Sequence, residues 1–110
     1  MADYNDFTKL DIRVGEIIKA EDFPQARKPA YRLAINFGPE IGIKQSSAQI
    51  TEHYRLEDLV GLQVVAVVNL APKQIGPFIS ECLTLGLPDE NDAVVLIKPE
   101  RHVPLGGRMY

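Results

Sequence analysis

A single cysteine, Cys82, stands in this chain of 110 residues, so no disulfide can close within it. A lone thiol fits a reducing compartment. Histidine is almost as scarce: only His53 and His102 occur, with no Cys-x-x-Cys and no His-x-x-x-His spacing, and no metal centre is expected. Long apolar runs are missing. The longest, Val64 to Val68, is far too short to span a bilayer. The opening Met1-Ala2-Asp3-Tyr4-Asn5-Asp6 has neither the basic nor the apolar region of a signal peptide. A cytoplasmic protein that does not insert into membranes is the expectation. A basic excess is lacking too: Lys and Arg number 12 against 15 Asp and Glu, a net charge of −3. That argues against a generic nucleic-acid binder. It leaves room for a local basic patch, because screening confines charge effects to roughly 10 Å at moderate salt.

Catalytic signatures are equally sparse. Ser46, Ser47, Ser80 and Cys82 are nucleophile types and His53 a base type, but no Gly-x-Ser-x-Gly elbow occurs. Walker and dinucleotide glycine patterns are absent as well. Cys82 lies in an alternating apolar segment, which suits a buried small hydrophobe better than a reactive thiol. Neither an enzyme nor a cofactor is expected.

What the chain does contain is short apolar runs separated by scattered prolines and glycines, eight of each. That spacing points to one small all-β domain. A chain of this length buries somewhat over ~60% of its unfolded surface, enough for one modest core. The first run, Ile12 to Ala20, loses its alternation near Gly15, where a β-bulge is expected. The second alternates well, with Tyr31, Leu33, Ile35 and Phe37 on one face. The third, Ile43 to Ile50, carries Lys44, Gln45, Ser46, Ser47 and Gln49 and reads as a strand with a wet face.

Glu57 to Val60 suggests one helical turn, stopped by Gly61. Leu62 to Asn69 is apolar on both faces and is expected to be the central strand. Phe78 to Leu87 follows a turn at Gly76-Pro77, and Val94 to Ile97 follows a turn at Asp89 to Asp92. Three strands, a short helix and two strands is the order of the OB-fold. That is a five-stranded Greek-key barrel whose second and third strands and neighbouring loops bind ligands.

Two sets of residues are candidates for binding. Arg27 and Lys28 fall between the first two strands, Lys44 on the polar third strand, and Lys73 after the fourth. On a barrel several could share one groove and neutralise phosphates; scattered over the surface they would simply be solvated. Phe23, Pro24, Pro29, Ile75, Pro77 and Phe78 are apolar loop residues. They either form an exposed patch that grips peptide or a second subunit, or fold back to plug the barrel ends. The apolar tail Val103 to Tyr110 is expected to be docked, with a subunit interface as a candidate dock.

The stretch Lys9-Leu10-Asp11-Ile12-Arg13-Val14-Gly15-Glu16-Ile17 resembles the opening signature of the tRNA-binding-domain family, an OB-fold appended to aminoacyl-tRNA synthetases and also found free-standing. Val67-Val68-Asn69-Leu70-Ala71-Pro72-Lys73 resembles its second signature, and Ser80-Glu81 begins its Ser-Glu-Gly-Met element, with Cys82-Leu83 replacing Gly-Met. Phe23 to Tyr31, Asn36 to Ile50, Gln74 to Phe78 and Leu85 to Asp89 are similar to the CsaA chaperone branch.

The resemblance implies a homodimer whose interface is built by segments flanking a barrel core of about residues 11–98 within a single domain 1–110. It also implies an export chaperone for unfolded preprotein segments, with the ATPase SecA as a candidate partner. The wider family implies tRNA binding in the barrel groove, where Ser46, Ser47, Asn69, Lys73, Ser80 and Glu81 match by position and Arg27 and Lys28 lie in the first loop. Synthetase-type members carry more cations on these loops. Here Gln74-Ile75-Gly76-Pro77-Phe78 is neutral and apolar, which favours peptide at Phe23, Ile75, Pro77 and Phe78 over phosphate.

Overall fold

The computed structural model describes residues 1–110. Nine strands and three short helices follow in chain order: α1 (Tyr4–Thr8), β1 (Ile12–Asp22), β2 (Tyr31–Asn36), α2 (Gly38–Ile41), β3 (Ile43–Ala48), α3 (Leu56–Leu59), β4 (Gln63–Val67), β5 (Lys73–Ile75), β6 (Phe78–Ser80), β7 (Leu83–Thr84), β8 (Gly86–Pro88) and β9 (Val94–Leu96). No helix is long and apolar enough to cross a membrane.

The main sheet has the order β3-β2-β1-β4-β7, and its pairs are antiparallel. β1 is therefore its middle strand, which corrects the expectation for Leu62 to Asn69. β4 lies next to it and is still buried on both faces. Val64, Ala66 and Val68 join the barrel core, while Val65 and Val67 form an outer cluster with Ile12, flanked by Phe7, Leu85 and Ile97. An interior strand needs both faces covered, not the central position.

The bulge also moves. Ile17 pairs with Ile35 and Lys19 with Ala34, so the inserted residue is Ile18, not Gly15. Two successive isoleucines part there: Ile17 is fully buried and Ile18 is exposed. Gly15 is needed for another reason. A Cβ on it would lie 2.6 Å from Ile35 Cγ2 and 2.7 Å from the Phe37 ring. The glycine lets β1 approach the packed β2 side chains.

β2 alternates as the sequence predicts, with Leu33, Ile35 and Phe37 at the centre of the core. The sheet curls until β3 meets residues 80–84, which completes the OB-fold barrel. α3 closes one end by burying Leu59. The region Phe78 to Leu87 holds three short strands. β6 turns back on β5 as a hairpin, β7 joins the barrel, and β8 pairs with β9 across the Asp89 to Asp92 turn.

Both flanks dock on the barrel of their own chain. The tail runs beside the start of β1, beyond the point where the antiparallel β2 has ended. Val14 N–H donates to Gly107 O (3.0 Å), Gly106 N–H to Val14 O (2.9 Å) and Met109 N–H to Ile12 O (2.8 Å). The largely buried Arg13 donates to Asp11 (2.6 Å), Glu40 (2.8 Å) and Gly106 O (2.9 Å). Gln63 holds both backbone groups of Val103.

Candidate functional site

The loop joining β1 to β2 is anchored by aromatic packing. Phe23 and Phe78 meet edge to face, centroids 5.3 Å apart, and Ala30 completes a small cluster flanked by Ala26 and Ile75. Burying these residues ties the first loop to the β5–β6 hairpin. Gly76, with φ +56°, makes the hairpin turn, where an L side chain would be strained. The Arg32 guanidinium lies 5.7 Å from the centre of the Phe23 ring.

The two loops frame a cleft of about 510 Å³. Arg27, Lys28 and Lys73 line it, joined by Gln25, Gln49 and Gln74, with Ser47 of β3 among the lining residues. No carboxylate lines it. Lys9, Arg13, Lys19, Arg32, Arg55, Arg101 and Arg108 all pair with acids. Arg27, Lys28, Lys44, Lys73 and Lys98 pair with none. Three of those five meet in this cleft, which gives it a positive field inside a chain of net charge −3.

A second groove of about 510 Å³ continues from it and shares Ser47, Gln49, Lys73 and Ile75. Its remaining wall is mostly apolar, with Ala48, Ile50, Leu83, Leu85, Leu87 and Val94. A third groove of about 500 Å³ lies on the far side of the sheet, among Val14, Val65, Ile97, Pro99, Val103 and Met109. It adjoins a hollow formed by Tyr4, Phe7, Leu10, Met109 and Tyr110.

The cleft thus gathers Arg27, Lys28, Ser47 and Lys73 from the residues expected to bind RNA. The others lie elsewhere. Ser46 is fully buried, its hydroxyl donating to Cys82 O (3.2 Å) and paired with the Thr84 hydroxyl (2.8 Å). Ser80 Oγ accepts from Ser47 N–H (3.0 Å), and Glu81 Oε1 from Gln45 N–H (2.9 Å). Asn69 accepts from Asp11 N–H and donates to Lys9 O, both at 2.8 Å, which ties the end of β4 to the start of β1. Lys44 is half-buried on β3, outside the cleft.

Of the residues named as peptide-binding candidates, Phe23 and Phe78 are buried, so of the two readings left open for these loops the one in which they fold back and pack holds for both. Pro77 stays exposed at the hairpin tip, and Ile75, half-buried, lines both continuous grooves. Sequence reading missed Gln25, Gln49 and Gln74. The signal was there for Gln49, two residues after Ser47 on the same strand face, but glutamine carries no charge to mark it.

The Cys82 thiol and the His53 ring are held in hydrogen bonds within the chain. Burial pushes the Cys82 thiol up to about 11, and its sulfur donates to Gln45 O at 3.6 Å. His53 Nε2 meets Asp89 Oδ2 at 2.6 Å. That hydrogen bond, and the N–H groups of Asn91 and Ala93, hold the Asp89 carboxyl below its ordinary range. No three His, Cys, Asp or Glu residues converge as metal ligands.

Known proteins match this arrangement. Residues 12–108 fit the family described as "Putative tRNA binding domain". The crystal structure of chaperone CsaA from Bacillus anthracis shares 51% identity over 100% of this chain and 99% of its own, with a TM-score of 0.92. The CsaA chaperone protein from Picrophilus torridus shares 49% over 100% of both, with a TM-score of 0.93. The methionine–tRNA ligase of Thermococcus kodakarensis is 35% identical over 96% of this chain, which spans only 14% of that enzyme. Family sequence and barrel geometry agree, and this chain belongs to the tRNA-binding-domain family.

Proposed function

We propose that this chain is a CsaA-like chaperone that holds unfolded polypeptide segments, preproteins among them, on their way to export. It works in the cytoplasm as a homodimer, with SecA as a candidate partner, and performs no bond-making. The end-to-end likeness to two CsaA chaperones carries this reading, because both chains are covered almost completely. The paired grooves supply the chemistry. Burial of apolar surface yields roughly 25 cal/mol per Å² before ordering costs, so capture by a few side chains is weak and reversible. Weak capture lets a client go without ATP.

The apolar face around the termini supports dimerisation. Tyr4 is 74% exposed and Tyr110 fully so, beside Leu10 and Met109. A second copy seated there would present two client sites and raise avidity through effective concentration. Light scattering of the purified chain, followed by dilution of a denatured client into it, tests the reading. A dimer that suppresses aggregation without nucleotide is the expected result; a monomer without effect on the client overturns it.

One observation favours a second reading, tRNA binding: three cations with no acidic partner share one cleft. Neutralising about three phosphates predicts that log K falls with log salt with a slope of about −2 to −3. A flat salt response of bulk tRNA binding would remove that reading.

A further inference from the structure

We infer that the joined grooves select their ligand by charge: they take an extended polypeptide whose apolar stretch lies along Leu83, Leu87 and Pro88 and whose flanking acidic side chains reach Arg27, Lys28 and Lys73. This deepens the polypeptide-binding reading above and rests on it. The two grooves form one continuous surface, since Ser47, Gln49, Lys73 and Ile75 line both. One end is apolar and open, with Leu83 51% and Leu87 60% exposed. The other holds three cations that no acid of the chain pairs with, and neither groove has a carboxylate in its lining.

Apolar contact is non-directional and accepts many sequences. Discrimination must come from the charged end, where an acidic flank finds complementary charge and a basic flank meets like charge with nothing to offset it. The protein therefore favours apolar segments bordered by Asp or Glu and disfavours those bordered by Lys or Arg.

The test uses the full chain and labelled peptides that share one apolar core, flanked by Glu, Gln or Lys and read by fluorescence anisotropy. The Glu-flanked peptide is expected to bind about tenfold more tightly than the Lys-flanked one, with the Gln-flanked peptide between. At 1 M salt, where the Debye length is about 3 Å, the three affinities should converge. In the Arg27→Gln, Lys28→Gln, Lys73→Gln variant, checked for folding by circular dichroism, the ranking should vanish. Leu87→Gln should weaken all three peptides alike and keep the ranking.

Equal affinities in the parent protein, or preference for the Lys flank, overturn the charge selection while leaving polypeptide binding intact. Failure of every peptide to bind, with an oligoribonucleotide binding in their place, overturns both.

Discussion

The barrel is sealed in two places by different means. Along β1–β4, five successive residue pairs from Ile12↔Val67 to Glu16↔Gln63 form an ordinary ladder. Along β3 and residues 80–84, the closing contacts come largely from side chains. Ser80 and Glu81 accept the N–H groups of Ser47 and Gln45, and Ser46 reaches the Cys82 carbonyl and Thr84. Only Glu81 N–H, to Gln45 O at 2.8 Å, closes this seam backbone to backbone among the contacts outside regular strands. A ladder made of backbone tolerates most side chains. A seam made of side chains depends on which residues stand there, so the two should respond differently to substitution.

The ladder has one residue-specific point, and breaking it should have the largest effect. Gly15→Ala places a methyl against Ile35 and Phe37, and such overpacking should cost about 3 kcal/mol in urea denaturation. A loss below about 0.5 kcal/mol would mean that the core yields easily there. Ser46→Ala comes next. It deletes little more than the buried hydroxyl that meets Cys82 O and Thr84, for an expected loss of about 2 kcal/mol.

Ser80→Ala and Glu81→Ala should each cost about 1 kcal/mol. Amide exchange should speed up at Ser47 and Gln45 respectively, with the β1–β4 amides unaffected. Glu81→Gln, which keeps the accepting oxygen, should restore slow exchange at Gln45. Uniform exchange across both seams in these variants would erase the contrast.

The smallest effect concerns acid. Asp89 has a folded pKa below its ordinary value, so its contribution is complete above the unfolded value near 4 and is lost as pH falls through the folded one. The parent should therefore lose stability below about pH 4 more steeply than Asp89→Asn. This pair lies outside both seams, so the seam contrast should survive the titration.

The alternation in Tyr31 to Phe37 was legible because large apolar residues set its phase, and the structure buries that face. β3 offered no such phase. Ser46 and Ser47 are adjacent serines in a polar run, and sequence cannot say which enters the barrel. Pairing decides it: Ser46 stands opposite Leu33, a core residue, and Ser47 opposite Arg32. The cations of the cleft were visible as residue types at Arg27, Lys28 and Lys73. That Lys44 stays apart from them depends on the same register.

The matched motifs Asn69 and Ser80-Glu81 were legible as positions, but their hydrogen bonds within the chain were not. Each bond joins residues far apart in sequence, Asn69 to Asp11 and Glu81 to Gln45. The missed bulge at Ile18 has the same origin. A slip in one strand is defined only against its partner.

The sequence by itself determined a small β-barrel with one alternating core strand, a short helix before β4 and a set of loop cations, because side-chain period and turn residues act locally. Tertiary structure alone decided which polar residues seal the barrel and which line the cleft. Those roles depend on strand register and curl, which bring together groups that chain spacing leaves unrelated.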